Sequence, residues 1–420
     1  MIDFTPKPEN IFNQFIELYY SECKKSFPKI EAIAGKWDFE DLIPGLSDFD
    51  TRFVCSDDMT DEDWCKMSTA VGEVHLDLCN RYPEWVRIFE HLPGVNLTWT
   101  ELTSDASYYP EYRQWSFYSC KSLEVVSNAE NSLSKRGWDL RDEYFFLKKF
   151  FTFYGPYNRS IDRAINLGPF KSKYPLHSRL MHYFTPPVQA AVSIIQKKPI
   201  KGKFESLRIA RDLLPETKIF DEIFDIVGMH YEVPILYAEP EITLLEERLF
   251  DALKLILERV KEYISIIPSE MCKDEATIKK ALKDVYVPPQ LKVYDSSRFC
   301  RLFKGRMYFY MNAPDYFENI WLIQNELARV GDMFYKTPFS IYWQAVYGKK
   351  INNPDRIVSR LAPEVITGKE AAAALKFSRL VPGTWKDGTE LEICRNIVEI
   401  FDDFFMGLNK IKRKLEEQLI

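Results

Sequence analysis

Residues 44–54 read PGLSDFDTRFV, and two aspartates, Asp48 and Asp50, stand one residue apart within them. The apolar, β-forming residues that follow predict a strand over 48–54. Side chains at positions i and i+2 of a strand point to the same face, so the two carboxylates are expected side by side. Such a pair repels unless a cation lies between its members, and Mg²⁺ prefers carboxylate oxygens and substrate phosphates. The pattern therefore predicts a metal-assisted phosphoryl-transfer site. The competing interpretation is a simple turn, because Gly, Ser and Asp are common turn residues.

The composition indicates an ordinary soluble chain. Its 420 residues are enough for roughly two or three domains. The net charge of −6 disfavours a generally basic surface, so we expect no nucleic-acid partner. No two of the eight cysteines form a Cys-x-x-Cys pair, which favours reduced thiols in a cytoplasmic protein. No apolar run approaches about 18 residues, so we expect no membrane span.

The segments on either side of the aspartates predict a small sheet with helices. Residues 11–26 have a helical apolar stripe, and 30–35 is a short apolar run, either a strand or the end of a helix. Residues 63–80 again have helical spacing. The run 95–102 alternates in the manner of a strand.

The order of apolar run, glycine, loop and Gly-Leu-Ser-Asp-Phe-Asp-Thr-Arg at 45–52 resembles the polymerase-β-type nucleotidyltransferase superfamily. Members carry a Gly-Ser turn, Asp-x-Asp on the next strand and a third carboxylate on a later strand. The resemblance is strongest over 45–52 and weaker upstream. It implies that Asp48 and Asp50 are catalytic and hold one or two Mg²⁺ ions on a nucleoside triphosphate, with ATP as the expected donor.

Glu101 stands where the resemblance places the third carboxylate, as a metal ligand and as the base that activates an attacking hydroxyl. Asp105, just beyond it, is the alternative, and an exposed charge at a strand end is the competing interpretation. Gly35 and Lys36 stand where Gly-Ser is expected, so Lys36 departs from the pattern. Either Lys36 binds phosphate by its charge, or Ser47 supplies the missing hydroxyl.

A later helix start is a candidate phosphate site. Lys201 and Lys203 lie at the beginning of a predicted helix, and Arg208 lies further along it. Helix N-termini favour anions, and nearby lysines add to that preference. The family resemblance implies that these residues neutralise the triphosphate. A solvated charged face is the competing interpretation.

The predicted fold class is α+β, with an N-terminal mixed β-sheet nucleotidyltransferase core, flanking helices and mainly α-helical domains after it. We place the catalytic domain at 1–125, a helical bundle at 126–270 and a mainly helical C-terminal domain at 286–420. Within the last, the apolar runs at 291–294 and 306–310 suggest a hairpin. The C-terminal domain is interpreted either as an acceptor-specificity domain or as the contact surface of a homodimer.

The predicted function is Mg²⁺-dependent transfer of a nucleoside monophosphate from an NTP to a hydroxyl of a small acceptor, with release of pyrophosphate. Kanamycin-type adenylyltransferases are the functional analogy. One alternative is an enzyme that adenylylates a protein or forms an oligonucleotide. Another is a nucleotide-binding pseudoenzyme, because Lys36 replaces the expected serine. The third is a helical interaction protein in which Asp48 and Asp50 are turn residues.

Overall fold

The computed structural model describes residues 9–36, 41–42, 48–83, 92–154, 179–232, 239–313, 323, 326–327, 330–351, 353–362, 364–381 and 389–419. Ser47 lies outside the described residues.

A four-stranded mixed sheet occupies the N-terminal part, with strand order β3-β2-β1-β4. The strands are β1 (Ile30–Gly35), β2 (Thr51–Cys55), β3 (Asn96–Thr98) and β4 (Ser116–Cys120). Strand β1 pairs antiparallel with both β2 and β4, whereas β2 and β3 run parallel. The predicted α+β class is therefore confirmed, including the mixed sheet. Strand β2 begins three residues later than predicted, because β1 ends opposite Thr51.

Helices flank the sheet where apolar spacing predicts them. Helix α1 spans Glu9–Ser26 and α2 spans Asp61–Arg81. Thr60 begins α2 with a capping box, because its side chain accepts from the Asp63 N–H while the Asp63 carboxylate accepts from the Thr60 N–H. After β3 comes the short helix α3 (Trp99–Thr103), and a 3-10 helix, Pro110–Gln114, leads into β4. The strand predicted over 95–102 is thus wrong in its second half.

The remainder of the chain is largely helical. Its N-terminal half contains α4 (Leu123–Ser134), α5 (Leu140–Phe153), α6 (Thr185–Gln196), α7 (Lys203–Leu213), α8 (Ile219–Glu232) and α9 (Glu239–Lys261). Its C-terminal half contains α10 (Glu275–Asp284), α11 (Pro289–Cys300), α12 (Phe303–Asn312), α13 (Thr337–Tyr347), α14 (Pro354–Leu361), α15 (Gly368–Leu380) and α16 (Glu390–Leu419). The π-helical turns Arg179–Phe184 and Gly331–Lys336 lead into α6 and α13. The predicted hairpin is wrong, since its two runs lie in α11 and α12.

The described residues form three apolar core clusters. The largest joins α1, α2 and one face of the sheet to the C-terminal helices, from Phe12 to Leu415. A second lies among the middle helices, from Phe146 to Leu282. A third covers the opposite face of the sheet, with Ala34, Val54 and Leu97 among its members. The N-terminal sheet and its helices therefore share a core with helices more than two hundred residues away. For example, the Gly305 N–H donates to Ser68 Oγ of α2, 237 residues apart. The proposed domain boundaries stay a prediction.

All eight cysteines are free thiols, and seven of them are buried. In the portion of the chain that the structure describes, no helix combines the length and apolarity needed to cross a membrane.

The close approach of α2 and α12 gives a direct test of the shared core. A Cβ added at Gly305 would overlap the carbonyl oxygen of Ser68 and lie 3.0 Å from Leu92 Cδ2. We expect Gly305→Ala to lower the free energy of unfolding by about 1–3 kcal/mol, because the helices must separate to admit the methyl group. Chemical denaturation of the purified chain measures the change.

Gly368→Ala is the matched control, because a Cβ there meets nothing within 4 Å. Its stability should stay within about 1 kcal/mol of wild type, with a gain favoured by the helix propensity of alanine. Equal stabilities of the two variants would contradict the packing of α12 on α2.

Candidate functional site

The strand ends nearest Asp50 meet at one edge of the sheet. Gly35, the last residue of β1, pairs with Thr51 of β2 and with Ser116 of β4. The Lys36 N–H donates to the Asp50 carbonyl oxygen at 3.2 Å, and the Gly94 N–H donates to the Thr51 carbonyl oxygen at 3.1 Å. We call this region, comprising residues 35–36, 48–51, 94 and 116, the Asp50 edge. Segments distant in sequence therefore converge where the two aspartates lie.

The side chains of residues 48–50 alternate as the sequence predicts. Phe49 is buried, whereas Asp48 and Asp50 are partly exposed. The Phe49 ring packs edge-on against Tyr118, with 5.3 Å between ring centroids. A Cβ on Gly35 would overlap the Phe49 ring and lie 2.8 Å from Tyr118 Cε2. Gly35, predicted to bind nucleotide, thus has a packing role: its missing side chain admits the ring that fixes the Asp-Phe-Asp backbone.

Glu111 is a third carboxylate beside this edge, and the sequence pattern does not reveal it. It lies in the 3-10 helix before β4 and is buried. Arg52 Nε and Nη2 donate to Glu111 Oε1 at 3.2 and 3.1 Å, and Arg52 Nη1 lies 3.8 Å from Asp50 Oδ1. Lys36 Nζ lies 3.6 Å from Glu111 Oε2. Burial alone would raise the pKa of Glu111, but the Lys36 and Arg52 cations lower it to about 2. Glu111 is therefore ionised at neutral pH.

Lysines from distant helices complete the cluster. Lys149 of α5 is partly buried and donates to Gln189 Oε1 at 2.5 Å. Burial and the charges of Lys36 and Lys203 lower the pKa of Lys149 well below its usual value, while Glu111 and Asp50 act in the opposite sense. Lys149 is therefore near enough to Lys36, Lys203, Glu111 and Asp50 for their charges to act on it. Lys149 is a second residue that the sequence pattern does not reveal.

The predicted phosphate site at the start of α7 already holds an anion. Asp41 is fully buried, and its Oδ1 accepts from the backbone N–H groups of Lys203 and Phe204 at 2.6 and 2.8 Å. The helix start attracts negative charge as expected, but a carboxylate of the chain occupies it. The contribution of α7 near Lys149 is therefore the Lys203 side chain and not the helix terminus.

The other two basic residues predicted to bind nucleotide, Arg208 and Lys201, lie on an exposed helix face and in a loop. Arg208 is exposed, and its Nη1 donates to Glu205 Oε2 at 3.3 Å on the same helix, which is the arrangement of a solvated helix face. Lys201 lies partly buried in the loop before α7.

Glu101 does not join Asp48 and Asp50, which corrects its predicted place. Strands β2 and β3 are parallel with Cys55 opposite Thr98, so Glu101 follows the far end of the pair. The five residues of β2 separate the two ends by roughly 13 Å at about 3.3 Å per residue. Glu101 instead caps α3, where its Oε2 accepts from the Thr98 N–H at 3.0 Å.

Two cations from the C-terminal part of the chain bind the Glu101 carboxylate at this position. Both terminal nitrogens of Arg301 donate to its carboxylate at 2.6 Å, and Lys412 Nζ lies 3.8 Å away. Burial alone would raise the pKa of Glu101, but Arg301 and Lys412 lower it to about 2. Asp105, the alternative third carboxylate, is exposed and pairs with Arg141 at 3.0 Å.

Within the described ranges, no group of three or more His, Cys, Asp or Glu side chains is placed to hold a metal ion. Asp48 and Asp50 are two partly exposed carboxylates one residue apart, and Arg52 and Lys36 contact the third carboxylate, Glu111. A pair nevertheless fits Mg²⁺, which commonly binds one or two carboxylates and completes its shell with water and substrate phosphates.

No protein-family model matches the chain significantly, and neither does any curated protein or solved structure in the comparisons.

The structural role of Glu101 is testable by pH. Its folded pKa of about 2 lies below its ordinary value of 4.5, so its ion pair stabilises the fold above pH 4.5, and this stability is lost as pH falls toward 2. We expect Glu101→Gln to lower the free energy of unfolding by about 3 kcal/mol at pH 7, because Arg301 is left buried without its partner. The difference from wild type should shrink between pH 4.5 and 2 in urea titrations.

Glu205→Gln is the control, since Glu205 is exposed and its ion pair with Arg208 lies at the surface. It should change stability by no more than about 0.5 kcal/mol. A Glu101→Gln chain as stable as wild type at pH 7 would contradict the buried ion pair.

Proposed function

We propose that the chain is a nucleotidyltransferase that moves a nucleoside monophosphate from an NTP to a hydroxyl of a small acceptor. The observation that carries the proposal is the Asp50 edge, where a partly exposed Asp-x-Asp pair lies beside Glu111 and Lys36, and where the charges of Asp50 and Glu111 act on Lys149 of α5. Carboxylates for a metal beside cations for phosphates are what phosphoryl-group transfer requires, since its catalysis is mainly positioning and charge stabilisation.

Asp48 and Asp50 are the residues that would hold Mg²⁺. The burial of Phe49 between them fixes the backbone from which both carboxylates project. The ion would neutralise charge on the triphosphate and on the leaving pyrophosphate. ATP is the donor that we propose, and one or two ions fit the pair.

Lys36, Lys149 and Lys203 are the groups that would receive the triphosphate. Burial, and after it the charges of Lys36 and Lys203, lower the pKa of Lys149. A polyanion placed among them would favour the protonated amine of Lys149, so binding and protonation of this lysine would support each other. In this proposal the charge of Lys36 binds phosphate, which is the role of a serine hydroxyl in the family that the chain resembles.

Glu111 is a positioning residue in this proposal. Its pKa of about 2 makes it a weak base at neutral pH, so we do not assign to Glu111 the deprotonation of the acceptor that the resemblance implied for Glu101. Its ion pairs instead hold Lys36 and Arg52 beside Asp50.

A small hydroxylated acceptor agrees with the net charge of −6, which disfavours a polynucleotide. We place the reaction in the cytoplasm, where NTPs are abundant and free thiols persist. A nucleotide-binding pseudoenzyme is the second candidate. The contacts of Arg52 and Lys36 with Glu111 favour it, because they neutralise the third carboxylate.

Removing one charge of the aspartate pair tests the metal site. We expect Asp48→Asn and Asp50→Asn each to reduce Mg²⁺-dependent pyrophosphate release by about 100-fold or more, because a charge that stabilises the reaction is lost. Release is measured from each of the four NTPs, with and without hydroxylated acceptors such as aminoglycosides.

Asp212→Asn, at an exposed position in α7, should leave release unchanged. Retained activity in both site variants would contradict the proposal. NTP binding by wild type without turnover would favour the pseudoenzyme, and absence of Mg-NTP binding would exclude both.

Substitution of two basic residues of α7, Lys203 and Arg208, should affect Mg-NTP affinity differently. Lys203→Met is expected to weaken Mg-NTP binding by roughly tenfold, because a charge-assisted phosphate contact is lost. Arg208→Met, on the solvated face of the same helix, should bind as wild type does. Fluorescent-nucleotide titration measures both affinities, and thermal unfolding checks that each variant folds. A larger effect of Arg208→Met than of Lys203→Met would contradict the assignment.

A further inference from the structure

A cavity of about 740 Å³ lies between the 3-10 helix, α5 and the chain around the start of α11. This volume falls in the range of roughly 300–1,000 Å³ that is typical of small-molecule sites. Pro110 and Lys148 line it, whereas their neighbours Glu111 and Lys149 belong to the charged cluster beside the Asp50 edge. Among the described residues, those proposed to hold Mg²⁺ and the triphosphate do not line the cavity, so the cavity adjoins the proposed nucleotide site but has its own lining.

The cavity wall is rich in aromatic rings, contributed by Tyr108, Tyr109, Tyr144, Phe145 and Tyr286. Two of its lining residues are large apolar side chains left in solvent: Tyr286 is 79% exposed and Leu140 is 61% exposed. Aromatic walls favour a planar ring that can stack or pack edge-on. The exposed Tyr286 and Leu140 can lose further apolar surface to water when such a ring binds.

The charges of the lining favour an anion. Among the described lining residues, four are cationic (Arg141, Lys148, Lys292 and Arg298) and two are acidic (Asp105 and Asp295). Both acids are already paired, Asp105 with Arg141 at 3.0 Å and Asp295 with Arg298. The two lysines therefore leave the cavity with an excess of positive charge, and Lys148 Nζ lies 6.0 Å from the centroid of the Tyr144 ring. A negatively charged substituent on a bound aromatic ring would be attracted by this excess positive charge.

We propose that the cavity binds a small planar aromatic molecule with an anionic substituent such as a carboxylate. The ring packs among the tyrosines, and the carboxylate faces Lys148 and Lys292. This site does not depend on the proposed nucleotidyltransferase activity.

The test titrates the full chain with 2-naphthoate and with its neutral counterpart 2-naphthylmethanol, by calorimetry. We expect saturable binding of one naphthoate per chain and an affinity for the alcohol that is lower by roughly tenfold or more, because it lacks the charge-assisted contacts. Failure of naphthoate to saturate, or equal affinity for the two probes, would overturn the proposal.

Exposed residues allow variants that keep the fold. The double variant Lys148→Ala/Lys292→Ala should lower the affinity for naphthoate by roughly tenfold and leave the affinity for the alcohol unchanged. Tyr286→Ala should weaken both probes, and Lys25→Ala, an exposed lysine on α1, should weaken neither. Thermal unfolding confirms that each variant is folded. Naphthoate binding that is unchanged in both cavity variants would place the probe elsewhere and overturn the proposal.

Discussion

The buried ion pair between Arg52 and Glu111 holds the candidate site together. It joins β2 to the 3-10 helix that precedes β4, across 59 residues of sequence. A buried pair contributes favourably only when its remaining polar groups are satisfied. Here Arg52 Nη1 also donates to the Thr51 carbonyl oxygen at 2.7 Å, and Trp115 Nε1 donates to Glu111 Oε1 at 3.3 Å. Asp50 lies beside this pair, so its position depends on it.

The C-terminal helices stabilise the same sheet from its other end. Arg301, which follows α11, binds Glu101, and Arg298 of α11 donates to the Ser107 carbonyl oxygen and to the Tyr112 hydroxyl. Both arginines are buried, so their partners fix how α11 sits on the N-terminal region. Tyr112 lies in the same 3-10 helix as Glu111, which connects the C-terminal helices to the Asp50 edge through one short element.

The sequence predicts what local patterns determine. Alternation alone places Asp48 and Asp50 apart from the buried Phe49, and helical spacing predicts α1 and α2. Local patterns do not show that Glu111, rather than Glu101, lies near Asp50. The position of Glu101 depends on the parallel register of β2 and β3, which is not a local property. Lys149 was missed because its neighbours lie on other elements. The hairpin prediction failed because the aromatic run at 306–310 favours strands by propensity, while packing against α2 makes it a helix.

A crystal structure of the full chain with Mg²⁺ and a non-hydrolysable ATP analogue tests the central claim most directly. The predicted result is metal density on the carboxylates of Asp48 and Asp50, with the triphosphate against Lys36, Lys149 and Lys203. A nucleotide bound elsewhere, or a triphosphate at the Asp50 edge with no metal on either aspartate, would contradict the assignment of these residues.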